Sequence, residues 1–364
     1  MQERVGQRRY EDYCLMTAKK SIALDIGGRL VGDGQSCFVI AEIGSNHNQD
    51  YGLACKMIEA AAQTGVDAVK FQTFQAASHY SKKTPGFGYL NNADTHELIR
   101  SLELDRSWQA KLKLHAEACG VAFFSSPCDS DAIAGLAKLN VPAYKVASFD
   151  LTDDLLIGEM AAVGKPLILS TGMATWADIQ FALDAAKKSG NDQIVLLQCT
   201  SLYPAPARLS NLHAMAAMRA AFGTLVGYSD HTMGGHIILA AVAMGACVIE
   251  KHFTLDRSLP GPDHRFAIEP HEMKELMKQI REIESAAGDG IKNGPRQEEL
   301  EMAEKGRRSL HARHSIAAGK KITADMLVVK RPGLGIPPAL RDHVVGRIAR
   351  REIDADDWIT WDMV

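Results

Sequence analysis

Between residues 37 and 253 the chain repeats one beat eight times, and this repetition limits its possible folds more than any other feature. A short apolar run ends in polar residues, and an alanine-rich segment follows. The runs are CFVIAEIG (37–44), AVKFQTF (68–74), VAFFSSP (121–127), AYKVAS (143–148), LILSTG (167–172), IVLLQCT (194–200), LVGYSDH (225–231) and VIEKHF (248–253). In the intervening segments, such as YGLACKMIEAAAQTG (51–65) and ADIQFALDAAKKSG (177–190), apolar residues recur at three- and four-residue steps, which predicts amphipathic helices. Strands joined by helices are parallel. Eight such units predict an α/β chain whose strands close into a (β/α)8 barrel, for which roughly 250 residues is the usual size. A doubly wound open sheet is the competing architecture, but it does not favour a count of eight.

The flanks differ from the repeat. SIALDIGGRLVGDGQ (21–35) reads as a hairpin turning at Gly27-Gly28, placed to plug the barrel bottom. Residues 1–20 carry no apolar secretory region and read as an extension, with Met16 an alternative start. The polar insert 75–106 is a candidate active-site loop. Residues 288–306 are charged and bear glycine and proline, as a linker around a short helix would. The tail, 307–364, alternates strand and turn signals (SLHARHSI, AAGKKIT, MLVVKRPGLGIPP, VGRIARREIDADDWI) and predicts a small β-rich module that leans on a neighbour for stability. The expected domains are therefore a barrel with its hairpin at 21–287, the linker, and the module at 307–364.

Composition excludes some functions. The 364 residues are 46% apolar and carry a formal charge of −3 without a basic stripe, which disfavours nucleic acid or an anionic membrane as the main partner. No apolar run approaches the about 20 residues of a membrane span. The seven cysteines have no CxxC spacing, and several sit within apolar segments; they read as reduced thiols of a cytoplasmic protein.

A barrel of this kind carries its active site at the C-terminal ends of its strands. Here those ends are polar all round: Glu42, then Asn46-His47; Lys70 and Gln72 on one face; Ser125-Ser126; Lys145, Ser148 and Asp150; Ser170-Thr171-Gly172; Thr200-Ser201 with Tyr203; Ser229-Asp230-His231; Glu250 and His252. A lysine in mid-strand calls for an anion, so Lys70 and Lys145 with nearby hydroxyls suit a phosphate or a phosphate plus carboxylate; the alternative is a lysine that snorkels to the edge. His231 and His252 lie one strand-to-strand step apart. Near Glu42, they fit either a divalent metal with open positions or a pair of hydrogen-bonded structural histidines. Asp150 fits an acid or base, or equally a helix N-cap. Glu42 fits a metal neighbour, a base or a lysine partner.

The segments "IAEIGSNHN", "AVKFQTF", "AYKVASFD", "LSTGM", "CTSLYP", "GYSDHT", "IEKHFTLD" and "LPGPDH", in this order, resemble the sialic acid synthase family, and "VVKRPGLGI" resembles its antifreeze-like SAF domain. "FQTFQA", "CTSLYPAPARLSNL" and "FAIEPHEMKELMKQIREIE" are most similar to the branch of spore coat polysaccharide biosynthesis protein E. The resemblance implies a transferase that condenses phosphoenolpyruvate with an N-acetylhexosamine-type aldehyde, such as N-acetylmannosamine, giving a nonulosonic acid and phosphate. It implies a divalent metal, commonly Mn2+ with Mg2+ or Co2+ as alternatives, on His231 and His252. It places Lys70, Ser126, Lys145, Ser148, Ser170 and Ser229 on phosphoenolpyruvate and Gln72, Ser201, Tyr203 and Asp263 at the sugar. Glu42 would stand by the metal and Asp150 by the reacting carbons. Arg331 would reach the sugar's N-acetyl group in the partner subunit of a domain-swapped homodimer. Four positions depart from the family pattern: Asp150 stands for a glutamate, Cys128 for a frequent phenylalanine, Ser201 for an asparagine and Ser126 for a threonine. Two other readings stay open: a 3-deoxy-sugar-phosphate synthase, and a non-catalytic sugar-binding barrel.

Overall fold

The computed structural model describes residues 22–86 and 94–364; the expectation for residues 1–20 lies outside them. It forms two compact units, 1–288 and 289–364. In the first, a hairpin of β1 (Ala23–Ile26) and β2 (Arg29–Gly32) precedes eight parallel strands. These are β3 (Phe38–Gly44), β4 (Ala68–Thr73), β5 (Ala122–Pro127), β6 (Tyr144–Val146), β7 (Leu167–Ser170), β8 (Ile194–Cys199), β9 (Leu225–Asp230) and β10 (Val248–His252). They pair in chain order, and β10 closes on β3 to complete the barrel. Each of the eight runs read from the sequence is one of these strands.

The local reasons are visible in the first crossover. Asp50 caps the helix Tyr51–Gln63 by accepting from the Leu53 amide at 3.0 Å. Ala54, Met57, Ile58 and Ala61, spaced three and four apart, form its buried face. Gly65, at φ 87°, then turns the chain into β4. The hairpin tip lies at the N-terminal end of the barrel, where a Cβ on Gly27 would come within 3.3 Å of Pro142 Cβ, just before β6. One continuous apolar core joins strands and helices.

The second unit has its own core, including Leu310, Ile316, Ile322, Val344, Ile353 and Ile359. Its regular strands are β11 (Ser309–Ala312) and β12 (Leu327–Lys330), which pair antiparallel. The strand signals in AAGKKIT and in VGRIARREIDADDWI appear only as single bridges: Lys321 with Ile348, Ile316 with Ile353 and His311 with Trp358. Turns at Gly319 and Gly346, both at positive φ, interrupt pairing before a ladder can form. The helix Leu300–Gly306 lies in the stretch read as linker. The six cysteines among the described residues are all free.

Candidate active site

The register of the parallel strands sets polar residues side by side at the barrel mouth. Glu42 on β3 pairs laterally with His252 on β10 and with Lys70 on β4, Gln72 pairs with Ser126 on β5, and Ser229 on β9 pairs with Glu250 on β10. These neighbours line an open cavity at the barrel mouth. Every residue given a catalytic, metal or substrate role from the sequence lines it except Ser201 and Arg331.

Lys70 and Lys145 are each only 2% exposed, which removes the snorkelling alternative. Lys70 Nζ lies 2.7 Å from Glu42 Oε2, 3.2 Å from Ser126 Oγ and 3.8 Å from Glu250 Oε2. Lys145 Nζ donates to the Val146 carbonyl at 2.9 Å and lies 3.8 Å from Glu250 Oε1. Glu250 thus bridges both lysines, and Ser229 Oγ donates to it at 3.4 Å. Sequence reasoning noted Glu250 at the rim without giving it a role. Only the signal of two buried lysines, which require carboxylates, could have found it. Burial opposes the charge of all four groups. The Lys70 ammonium is nevertheless held above its ordinary range by Glu250 and Glu42, and the Glu250 carboxyl below its range by Lys145 and Lys70. Burial lowers Lys145 and raises Glu42, each beyond what its partners restore.

Beside this cluster, Ser148 Oγ accepts from the Gly172 amide at 3.0 Å. A Cβ on Gly172 would fall 2.3 Å from Ser201 Oγ and 2.8 Å from Ser148 Oγ, so only glycine lets the three segments meet. Ser201 therefore sits behind Gly172. The buried hydroxyls of Ser170 and Ser201 have no hydrogen-bond partner among the described residues, and Ser170 faces the cavity. An unpaired hydroxyl beside two buried lysines belongs to the donor set of an anion site.

On the opposite strands the rings of His231 and His252 have centroids 5.4 Å apart. His231 Nδ1 lies 2.7 Å from the Thr200 carbonyl, to which it donates, leaving Nε2 as the free lone pair. This is how a metal-ligating imidazole is oriented. Buried His252 Nδ1 makes no hydrogen bond, and its nearest carboxylate oxygen, Asp263 Oδ2, is 3.5 Å away. Burial drives His252 well below its ordinary range, so it stays a neutral donor. Burial, with Glu42 beside it, lifts the Asp263 carboxyl to about 6. The donor set fits a divalent ion. The Tyr203 ring packs at a tilt against His231 with centroids 4.3 Å apart, and Phe266 packs against His252 at 5.0 Å.

Asp150 ends the short 3-10 turn Ser148–Asp150. It does not cap the following helix, because Asp153 does so by accepting from the Leu156 amide at 3.0 Å. Burial raises the Asp150 carboxyl above its usual range. Its near neighbours are Cys128 and His79, and His79 was not anticipated from the sequence. His79, Tyr80, Leu98, Ile99 and Leu102 come from the described part of the 75–106 insert, and all line the cavity. Asn46 and His47 do not. The Asn46 amide donates to the Phe253 carbonyl at 2.9 Å, and His47 packs against Phe71 and Trp108. Arg331 belongs to the second unit, where its Nε donates to the Gly306 carbonyl at 2.7 Å.

Comparison with known proteins places the chain in a family. The NeuB family matches residues 57–292, and the SAF domain matches residues 307–364. The chain is 42% identical over 328 residues to the N,N'-diacetyllegionaminic acid synthase of Campylobacter jejuni, an alignment covering 88% of this chain and 98% of that protein. It is 34% identical over 362 residues to the spore coat polysaccharide biosynthesis protein SpsE of Bacillus subtilis, covering 93% and 96%. The crystal structure of the N-acetylneuraminic acid synthetase of Leptospira borgpetersenii superposes with a TM-score of 0.71 at 32% identity, covering 77% of this chain and 95% of that one. With its barrel, its lysine and serine cluster and its C-terminal match, the chain belongs to the NeuB family and ends in a SAF domain.

Proposed function

We propose that this chain is a phosphoenolpyruvate-dependent nonulosonic acid synthase. The observation that carries the reading is the cavity itself. Two buried lysines, with the unpaired Ser170 hydroxyl and three more serines beside them, offer the donors of an anion site next to two histidines, one of them with its ring nitrogen fixed by a backbone carbonyl. Lys70, Lys145, Ser126, Ser148, Ser170 and Ser229 would hold the carboxylate and phosphate of phosphoenolpyruvate. His231 and His252 would hold a divalent ion, Mn2+ with Mg2+ or Co2+ as alternatives, which supplies Lewis acidity at the aldehyde oxygen when bound. Gln72, whose Nε2 donates to Glu42 Oε1 at 2.7 Å, and Tyr203 and Asp263 would position the sugar. Ser201 supports that side from behind Gly172.

In the reaction, C3 of phosphoenolpyruvate attacks the aldehyde carbon; a carbon–carbon bond forms as the C=O π bond opens, and the aldehyde oxygen takes up a proton to become a hydroxyl. Water adds to the cationic C2 and its proton passes to a base; the C2–O bond to phosphate then cleaves as the new C2 hydroxyl gives up its proton and becomes the ketone. Asp150 is assigned to the proton of the water because its carboxyl is half-buried and its acidity is weakened, as a base working near neutrality requires.

The name of the Campylobacter relative makes a diacetamido-trideoxyhexose the first acceptor to test, before N-acetylmannosamine. Leu98, Ile99 and Leu102 on the cavity wall support a sugar with a deoxygenated end. The relative from Bacillus supports a role in surface polysaccharide synthesis. We further propose a cytoplasmic, domain-swapped homodimer in which Arg331 enters the partner's cavity. No helix of the described residues is long and apolar enough to cross a membrane.

Phosphate release from phosphoenolpyruvate with Mn2+, run against a panel of amino-sugar aldehydes with and without chelator, tests the reaction. Release with one sugar, lost on chelation and in His231→Ala, is expected. Release only with a phosphorylated aldose would favour the 3-deoxy-sugar-phosphate reading. Failure to bind either phosphoenolpyruvate or metal would favour the non-catalytic barrel.

A further inference from the structure

Apart from the histidine pair, one other point in the cavity gathers, among the described residues, metal-ligating side chains of three kinds. His79 ends the short helix Ala76–His79 after β4, Cys128 follows β5, and Asp150 ends the turn after β6. Three successive strand ends thus deliver an imidazole, a thiol and a carboxylate. One ligand atom from each lies within 4.8 Å of the other two. Cys128 Sγ is 3.9 Å from Asp150 Oδ2, and His79 Nε2 is 3.9 Å from Asp150 Oδ1.

The first is a weak thiol hydrogen bond near its outer limit, and the second is too long for one. Both separations are close to the spacing of ligands that share one ion: bonds of about 2.0–2.3 Å in a tetrahedron put nitrogen, oxygen and sulfur roughly 3.3–3.8 Å apart. A thiolate beside an imidazole and a carboxylate selects zinc-class ions over magnesium or calcium. All three residues line the open cavity, which leaves a fourth position for water or substrate.

We propose that His79, Cys128 and Asp150 form a second cation site, selective for thiophilic divalent ions of the zinc class. Binding displaces the Cys128 thiol proton to solvent and joins the thiolate, the imidazole and the carboxylate to one ion. Such an ion engages Asp150 and withdraws it from proton transfer, so it inhibits turnover. That consequence rests on the synthase reading, whereas the site itself does not.

The test titrates the chelator-stripped full chain with Co2+ and follows the sulfur-to-cobalt charge-transfer absorption in the near ultraviolet. The band is expected to appear, to be displaced by equimolar Zn2+, to be absent in Cys128→Ser and to need at least tenfold more Co2+ in His79→Gln. It should persist in His231→Ala. Cys199 is the competing thiol, 3.8 Å from His231 Nδ1, and Cys199→Ser should keep the band. Far-ultraviolet circular dichroism checks that each variant is folded, and His79→Gln carries the test if Cys128→Ser is not. No band in the wild type overturns the proposal, as does a band that survives in folded Cys128→Ser or His79→Gln unchanged, or one lost in Cys199→Ser. In the turnover assay with Mn2+, Zn2+ should inhibit the wild type at least tenfold more strongly than Cys128→Ser. If no turnover is found with any sugar, the cobalt band still decides the site.

Discussion

Glu250 and Asp150 show what single residues do in this cavity. Lys70 and Lys145 share it with Glu42 and Glu250, and each lysine has Glu250 at 3.8 Å. Removing one cation leaves buried carboxylates without compensation, which costs about 3–5 kcal/mol. Lys70→Met should therefore destabilise the barrel by that order and abolish phosphoenolpyruvate binding. The double variant Lys70→Met/Glu42→Gln should regain part of the stability and none of the binding. Chemical denaturation and ligand titration measure the two effects separately. Asp150 should behave oppositely. Its folded carboxyl is raised by burial, so ionising it works against the fold. That cost is absent below the unfolded value of about 3.9 and complete once pH has risen through the folded value. Asp150→Asn should thus gain thermal stability at pH 7 relative to the wild type and gain little at pH 4. It should also lose at least about a hundredfold in turnover, together with the acidic limb of the pH–rate profile. Equal stabilisation at both pH values would contradict a raised carboxyl. Lys70, Lys145 and the histidines were legible because a charged or titratable residue in an apolar strand is conspicuous. The role of Glu250 was not, because its partners come from β4 and β6 across the barrel, and no spacing in the chain records that distance.

At the scale of elements, the ends of β9 and β10 carry two alternating sets of residues. Ser229, Glu250 and His252 face the cavity, while Asp230 and Lys251 alternate with them on the helix-facing side. Asp230 Oδ2 and Lys251 Nζ pair at 2.7 Å, both fully buried, and Lys251 also donates to the Thr232 carbonyl. This pair clamps the two strands that bear the histidines. Asp230→Asn should cost about 3–5 kcal/mol by stranding the Lys251 ammonium. It should also weaken divalent-metal affinity roughly tenfold or more, as loss of a support behind the ligands does. Calorimetric Mn2+ titration of a variant still folded at low temperature checks the second effect; unchanged affinity would mean the pair serves stability alone. The eight strands were readable because a parallel barrel buries both faces and writes each strand as an unbroken apolar run ending in polar residues. His79 was not readable, because it lies in an insert without periodicity. In the tail, two of the strand signals form only single bridges, since alternation reports which side chains are buried and not how long a ladder runs.

For the whole molecule, the separate cores of the two units make removal of 289–364 a clean cut. The truncated barrel should unfold cooperatively and still bind phosphoenolpyruvate, but turnover should be lost if the second unit completes the cavity. The proposed exchange between subunits predicts more than loss. Arg331→Ala and His231→Ala damage different parts of the proposed site, one in each unit. If Arg331 acts in the partner's cavity, a hybrid dimer holding one chain of each kind has one cavity with both residues intact. The other cavity lacks both. Random mixing makes half of the dimers hybrid, so activity should recover to roughly a quarter of the wild-type value. If Arg331 serves its own subunit, each cavity of the hybrid is missing one residue, and mixing restores nothing. Mixing the two inactive variants under conditions of subunit exchange and assaying phosphate release therefore separates exchange between subunits from action within one, and no recovery would place the role of Arg331 within its own chain.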